Sequence, residues 1–264
     1  MLDRSILGVI PARMGSQRLP GKPLIVLAGR PLIEWVWRRV SRFGLFDACV
    51  VATDANEVKA ACERIGARVV LTSSSHASGT ERTAEVMRME AYRGYEVVVN
   101  VQGDEPLIEE GHVRGAVEAV GRGFDIGTVA APIRELDAWR DPSVVKVVRR
   151  PNGAALYFSR APVPFRRSGE PELSALAGAT YLRHIGVYAF TRAALERWVT
   201  LPVSVLEVEE QLEQLRPLSA GMTIGVGLVD AADGGGVDTA ADVKRLEARL
   251  RERMDSELTR SAER

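Results

Sequence analysis

Three cations and two glycines crowd one short stretch of the chain, Pro11-Ala12-Arg13-Met14-Gly15-Ser16-Gln17-Arg18-Leu19-Pro20-Gly21-Lys22-Pro23-Leu24. Arg13, Arg18 and Lys22 have no acidic neighbour within it, and Gly15 and Gly21 permit close backbone approach. Such a loop suits a polyphosphate. Two familiar phosphate loops do not fit. Five residues separate Gly15 from Gly21 and Pro23 follows Lys22, so the spacing and the metal-binding hydroxyl of a Walker A loop are both missing, and no GxGxxG follows the first strand. Two aspartates could complete a phosphate site. Asp104 follows an apolar run at 97–101, and Asp238 follows Gly234-Gly235-Gly236. Magnesium takes one or two carboxylates together with substrate phosphates and waters. On local sequence alone, Asp104 reads equally as a turn or cap residue, and Asp238 as the cap of the last helix.

The elements that must carry these residues are legible as runs. Segments 6–10, 48–52, 67–72, 97–101 and 126–131 are continuously apolar rather than alternating, the pattern of strands buried on both faces in a parallel sheet. Helical patterns separate them: Pro31 suits a first helical turn, and Ser78-Gly79-Thr80-Glu81 has capping-box spacing. Right-handed βαβ crossovers follow, and ligands of such sheets sit outside the carboxyl ends of the strands. That rule puts the loop at 11–24 and Asp104 on one sheet edge. The second half predicts strands at 144–148, 154–158, 184–190 and 223–228, helices at 192–199, 205–215 and 240–253, a glycine turn at 234–236, and a fraying polar tail from 255.

Composition removes several function classes. The 264 residues are 46% hydrophobic, enough for a sizeable core and unlike a disordered chain. Size alone allows one large domain or two lobes. Thirty-five basic residues cancel thirty-five acidic ones, and no block of Lys or Arg offers a nucleic-acid surface. No apolar stretch approaches the roughly 20 residues that span a bilayer, and the start lacks the features of a signal peptide, so no membrane insertion and a cytoplasmic location are expected. Cys49 and Cys62 have neither CxxC spacing nor a nearby His, and read as reduced filler. Neutrality is nevertheless a sum of opposed regions: residues 1–50 carry eight cations and three anions, residues 51–110 six and eleven.

The loop, read together with Ala52-Thr53-Asp54, Ser78-Gly79-Thr80-Glu81-Arg82 and Asn100-Val101-Gln102-Gly103-Asp104-Glu105-Pro106, resembles the CMP-Kdo synthetase family, the 3-deoxy-manno-octulosonate cytidylyltransferases. The likeness continues through Phe158-Ser159-Arg160, Arg183-His184-Ile185-Gly186-Val187-Tyr188, Leu212-Glu213-Gln214-Leu215-Arg216 and Gly236-Val237-Asp238-Thr239, and covers nearly the whole chain. It departs at Met14 and Gln17, where the family often has Tyr and Thr, and at Ser204-Val205-Leu206, where Ser/Thr-Pro-Leu is more usual.

The resemblance implies an α/β fold of nucleotidyltransferase type, a Rossmann-like mostly parallel sheet flanked by helices, with a smaller mixed lobe carrying sugar and dimer contacts. It implies a CTP-binding lobe at about 1–130, a sugar-binding and dimerisation portion at about 131–235, and a metal-ligand turn and helix at 236–264. The reaction implied is CMP transfer from CTP to 3-deoxy-D-manno-octulosonate (Kdo), giving CMP-Kdo and pyrophosphate, for lipopolysaccharide biosynthesis. Related acidic sugars, 8-amino-Kdo or an N-acylneuraminate, remain alternatives. Magnesium would be held by Asp104 and Asp238, and a homodimer is expected. Arg13, Gly15, Ser16, Arg18 and Lys22 would take the nucleotide's phosphates, while Ala52, Thr53, Asp54, Ser78, Gly79, Thr80 and Arg82 would line the rest of the CTP site. Arg13, Lys22, Asp104 and Asp238 would be catalytic.

For the sugar, Arg160 can bind a carboxylate bidentately and Gln102 can both donate and accept. His184, beside a strand, reads locally as a satisfied core residue, and Glu213 and Gln214 as the solvated stripe of a helix whose Leu212 and Leu215 share an apolar face. The resemblance instead turns all of them toward the sugar.

Overall fold

The computed structural model describes residues 4–15, 19–176, 178–230, 235–237 and 239–262, with the backbone alone from residue 253. β1 (Ile6–Ala12) leads through a 3-10 turn at Lys22–Leu24 to a small ladder of β2 (Val26–Leu27) and β3 (Arg30–Pro31), then to α1 (Leu32–Val40). β4 (Ala48–Thr53), α2 (Asn56–Glu63), β5 (Val69–Leu71), α3 (Gly79–Arg88), β6 (Val97–Val101), α4 (Glu110–Gly121) and β7 (Ile126–Pro132) follow. Next come α5 (Leu136–Arg140), β8 (Lys146–Arg149), β9 (Ala155–Ser159), α6 (Leu173–Leu176) and β10 (Leu182–Thr191). The chain continues with α7 (Arg192–Thr200), α8 (Val205–Glu210), α9 (Leu215–Ser219), β11 (Ile224–Leu228) and α10 (Ala240–Ala262).

Nine strands form one sheet in the order β11-β7-β10-β6-β1-β4-β5, with β8 and β9 branching from β10. β1 runs parallel to β4 and β6, β4 to β5, and β7 to β11. The continuous apolar runs have a direct cause. Along β1, Leu7 and Val9 enter one core cluster while Ile6 and Ile10 enter the cluster on the other face, and all four are buried. Each such side chain, fully buried, contributes about 1.5–3 kcal/mol. Burial also silences the cysteines: it pushes the Cys49 thiol up to about 12 and Cys62 up to about 11.

The strand runs leave direction open at 184–190: β10 inserts antiparallel between β6 and β7, pairing Val187 with Val101 and Ile185 with Val129. Apolar periodicity marks a buried strand but not its direction. The helix expected over 205–215 is two short ones, because Gln211 adopts a left-handed conformation (φ 51°) and Leu212 N–H reaches back to the Glu207 carbonyl at 3.2 Å, closing α8. The last helix runs to Ala262 rather than stopping near 253, in keeping with a stretch that holds no Gly or Pro from 240 to 262. Pro31 caps α1 from outside rather than occupying its first turn.

Candidate active site

The carboxyl ends of β1 and β6 and the N-terminus of α3 face residues 203–216 across a cleft of about 750 Å³. Close backbone approach makes the junction possible. A Cβ on Gly103 would lie 2.5 Å from the Pro11 carbonyl oxygen, so only glycine lets the strand-end turns touch. Gly21, at φ 68°, turns the chain back after the cationic loop so that Lys22 enters the cleft.

Lys22 Nζ is ion-paired with the Asp104 carboxylate, and both line the cleft. The Asp104 carbonyl accepts from Val237 N–H at 3.0 Å. Val237 is itself plugged into a small core with Leu27, Leu107 and Leu246, so the chain just before position 238 is anchored on Asp104. Arg13 lies along the same rim and donates to the Ala77 carbonyl at 2.7 Å.

α3 presents its N-terminus to this space, where unpaired backbone N–H groups and the helix dipole favour acceptors and anions. Ser78 caps it by accepting from Glu81 N–H at 3.2 Å; the Glu81 carboxylate turns to Ala77 N–H at 2.8 Å, so the capping box is only half formed. Arg82, 1% exposed, lines the cleft floor and is fixed by Asp54 at 3.0 Å and by the Thr72 hydroxyl. Ala52, Thr53 and Asp54 therefore support the floor rather than line the cleft: Thr53 is buried and its carbonyl holds Thr72 N–H at 2.9 Å.

The facing wall is built from the broken α8–α9 segment. Ser204 and Glu207 form a reciprocal capping box, and Glu207 also accepts two hydrogen bonds from Arg216, at 2.8 and 2.6 Å. Glu213, in the turn between the helices rather than on a helical stripe, projects into the cleft. Burial raises its carboxyl above the usual range, against the pull of the Thr80 and Ser78 hydroxyls and of Arg216. Gln214, 4% exposed, lies under the same turn outside the cleft lining.

Behind the wall, Arg160 spends its guanidinium on backbone carbonyls, those of Glu210 (2.8 Å), Pro142 (2.9 Å) and Gln211 (3.3 Å), and does not line the cleft. Glu210 returns the contact, accepting from Ser159 Oγ at 2.6 Å and Arg160 N–H at 2.8 Å. Lys146 is wholly buried there, donating to the carbonyls of Asp141, Val144 and Arg160, and its burial lowers the ammonium to about 8. His184 also stands off the cleft. Its Nε2 meets the Thr128 hydroxyl at 2.8 Å, Phe158 and Tyr188 pack on the ring, and burial, reinforced by Arg183, drops the imidazole to about 3. It is a neutral, satisfied core residue. Gln102 reaches further that way from the cleft: a Cβ on Gly186, two residues beyond His184, would lie 3.3 Å from its Cγ.

Of the residues read from sequence, the structure thus gathers Arg13, Lys22, Ser78, Gly79, Thr80, Arg82, Gln102, Asp104 and Glu213 around one cleft. Gly15 is not among its lining, and Ser16, Arg18 and Asp238 lie outside the described residues. Asn100, Glu207, Gln211 and Arg216 line the cleft and had not been singled out. Asn100 carried a signal, a lone amide in an otherwise all-valine strand; it is 1% exposed and its Oδ1 has no hydrogen-bond partner. Among the described residues no group of three metal-ligating side chains occurs, and no helix is long and apolar enough to cross a membrane.

A family profile described as Cytidylyltransferase matches residues 7–224. The chain is 48% identical over 241 residues to 3-deoxy-manno-octulosonate cytidylyltransferase of Gemmatimonas aurantiaca, covering 91% of this chain and 92% of that one. It is 47% identical to the protein of the same name from Methylococcus capsulatus, covering 92% and 95%. A solved structure of CMP:2-keto-3-deoxy-manno-octonic acid synthetase complexed with CTP superposes with a TM-score of 0.83 at 36% identity, over 94% of this chain and 99% of that one. A 4-diphosphocytidyl-2C-methyl-D-erythritol synthase from Anaerococcus prevotii, 16% identical with a TM-score of 0.60 over 94% and 99%, shares the fold. With that profile spanning most of its length and relatives near half identical over nine-tenths of it, the chain belongs to the cytidylyltransferases, in the 3-deoxy-manno-octulosonate cytidylyltransferase family.

Proposed function

We propose that this protein transfers CMP from CTP to Kdo, releasing pyrophosphate, as a step in lipopolysaccharide biosynthesis. One observation carries the reading beyond kinship: Arg13, Lys22 and Asp104 stand beside the α3 N-terminus in a single cleft, cations and carboxylate together where a triphosphate and its counter-ion would meet.

The sugar's anomeric 2-hydroxyl attacks the α-phosphorus and pyrophosphate leaves in line, so the protein's work is positioning and charge stabilisation. Arg13 and Lys22 neutralise the phosphates. Ser78 and Thr80, with the backbone of Gly79, face the base, and Arg82, held rigid by Asp54, forms the floor beneath it. Gln102 and Glu213 face the sugar, while Arg160 acts from behind by holding the carbonyls of the turn, with Gln214 beneath that turn and His184 in the core on Thr128. For Arg160 to clamp the sugar carboxylate directly, it must leave its carbonyl partners.

Magnesium fits this donor set. Asp104 offers one carboxylate at the cleft, 26% exposed, and the Val237 contact brings the chain that leads to Asp238 beside it. Asp104 and Asp238 would hold the ion, which supplies positive charge at the α-phosphate when bound; one or two carboxylates plus phosphates is the habit of this cation. The family habit of homodimers, and the lack of a membrane-crossing helix among the described residues, support a homodimer working in the cytoplasm. On this reading the chain divides into a nucleotide lobe at about 1–130, a sugar-binding portion at about 131–235 and a final metal-ligand turn and helix at 236–264.

Pyrophosphate release from CTP and Kdo with magnesium tests the reading. Turnover confined to Kdo in a panel of Kdo, 8-amino-Kdo and N-acylneuraminate is expected. Binding of CTP without any release of pyrophosphate would overturn the enzyme assignment, and faster turnover of another acidic sugar would overturn the substrate.

A further inference from the structure

Lys22 and Asp104 are each needed elsewhere during the reaction proposed above, yet here they are bound to one another. The ammonium sits on the Asp104 carboxylate, with the lysine side chain 12% and the aspartate 26% exposed. The pairing is built in from both ends. Lys22 is aimed by the left-handed turn at Gly21 and the 3-10 turn that follows. Asp104 is aimed by the Gly103–Pro11 approach and by the Val237 N–H on its carbonyl. A divalent ion on this carboxylate would stand beside an ammonium of the same sign, and like charges a few ångströms apart at a partly dehydrated site oppose one another strongly.

We propose that Lys22 sets the metal affinity of this site by exchange: lysine and divalent cation are alternative counter-ions of Asp104, and the cation gains the carboxylate when Lys22 leaves it for the triphosphate. The proposal rests on the reading that Asp104 is a metal ligand. Its consequence is linkage. A nucleotide that draws Lys22 away strengthens cation binding at Asp104, and by reciprocity a cation on Asp104 strengthens nucleotide binding. The cleft would therefore resist loading with bare metal and fill with nucleotide and metal together.

Mn²⁺ binding to the full-length protein without nucleotide, followed by the loss of the free-ion paramagnetic resonance signal, tests this without any turnover. Lys22→Met is expected to bind Mn²⁺ about tenfold or more tightly than wild type, and Lys22→Arg, which keeps the charge, to stay close to wild type. The gain should vanish in Lys22→Met/Asp104→Asn. Arg13→Met removes a cation from the same cleft that is bonded to the Ala77 carbonyl instead, and should change Mn²⁺ affinity less than twofold. An equal gain in Arg13→Met, or none in Lys22→Met while its circular dichroism matches wild type, would overturn the exchange. If Asp104→Asn alone bound Mn²⁺ as well as wild type, the metal assignment itself would fail, a result separable from failure of the exchange.

Discussion

The two walls of the cleft are made by different means. The wall proposed for the nucleotide is built on regular elements: β1, β6 and α3 deliver Arg13, Asp104 and Ser78 from their ends, and a single glycine contact, Gly103 on Pro11, locks the strand ends together. The sugar wall is long-range and assembled. Its turn between α8 and α9 sends Leu212 and Leu215 into the core against the sheet, and its outer part is held by an ion pair from Glu207 to Arg216, by Arg160 on the carbonyls of residues 210 and 211, and by buried Lys146 on the Arg160 carbonyl. The contrast teaches a division of labour. One wall, which we assign to the nucleotide, is fixed by backbone geometry, whereas the other, which we assign to the sugar, is fixed by side chains.

Asp104→Asn should have the largest effect, lowering kcat by about a thousandfold or more while melting and circular dichroism stay near wild type, because the side chain faces the cleft and not the core. Turnover near wild type with magnesium would remove Asp104 from the chemistry. Gly103→Ala should strike the first wall itself: the new methyl has no room against the Pro11 carbonyl, and urea unfolding should show a loss of about 1–3 kcal/mol with weakened CTP binding. Unchanged stability would mean that the strand ends are not locked as described.

On the assembled wall the effects should be selective. Arg216→Ala frees Glu207 and should raise the sugar KM about tenfold, the equivalent of ~1.4 kcal/mol, while the CTP KM moves less than twofold. Equal changes in both constants would show that the walls are not independent. Arg160→Lys keeps a charge but cannot span three carbonyls. A rise in sugar KM accompanied by a lower Tm identifies it as a support of the turn, and a rise with Tm unchanged identifies it as a direct clamp.

The smallest effect concerns pH. Burial lowers Lys146 from an ordinary 10.5 to about 8, so the folded protein holds this proton less tightly than the unfolded chain does. Between about pH 8 and 10.5 the unfolded chain binds the extra proton, and the contribution of this residue to stability rises with pH across that window. Lys146→Met should flatten that rise in urea midpoints; a slope identical to wild type would show that the site does not titrate there.

The asymmetry between the walls also decides what could be read in advance. Residues of the wall proposed for the nucleotide lie within the 11–24 loop, at 78–82 and at 103–104, each a few positions from the end of a strand or the start of a helix, so local patterning already placed them on one sheet edge. On the other wall the same patterning misled. Leu212 and Leu215 look like one face of a helix, but both are buried because Gln211 turns left-handed and folds the chain inward, which puts Glu213 in the cleft and Gln214 beneath it. For Arg160 the local pattern shows only a free guanidinium, whereas in the fold backbone carbonyls already satisfy it; for His184 the local reading as a satisfied core residue agrees with its Thr128 partner, and only the resemblance turns it toward the sugar. The pairing of Arg216 with Glu207 is not legible, because nine positions on a broken helix give no periodic sign of a pair.

The sequence by itself determined the parallel core of the sheet, the glycine-rich cationic loop after its first strand, and the position of Asp104 past a central strand, because apolar runs, glycines and charges act over a few residues. Tertiary structure alone decided that β10 enters antiparallel, that the chain at 203–216 closes over the α3 N-terminus, and that Lys22 lies on Asp104. Those outcomes depend on which segments pack against one another, and packing energy is shared among residues too far apart in the chain for any local pattern to register.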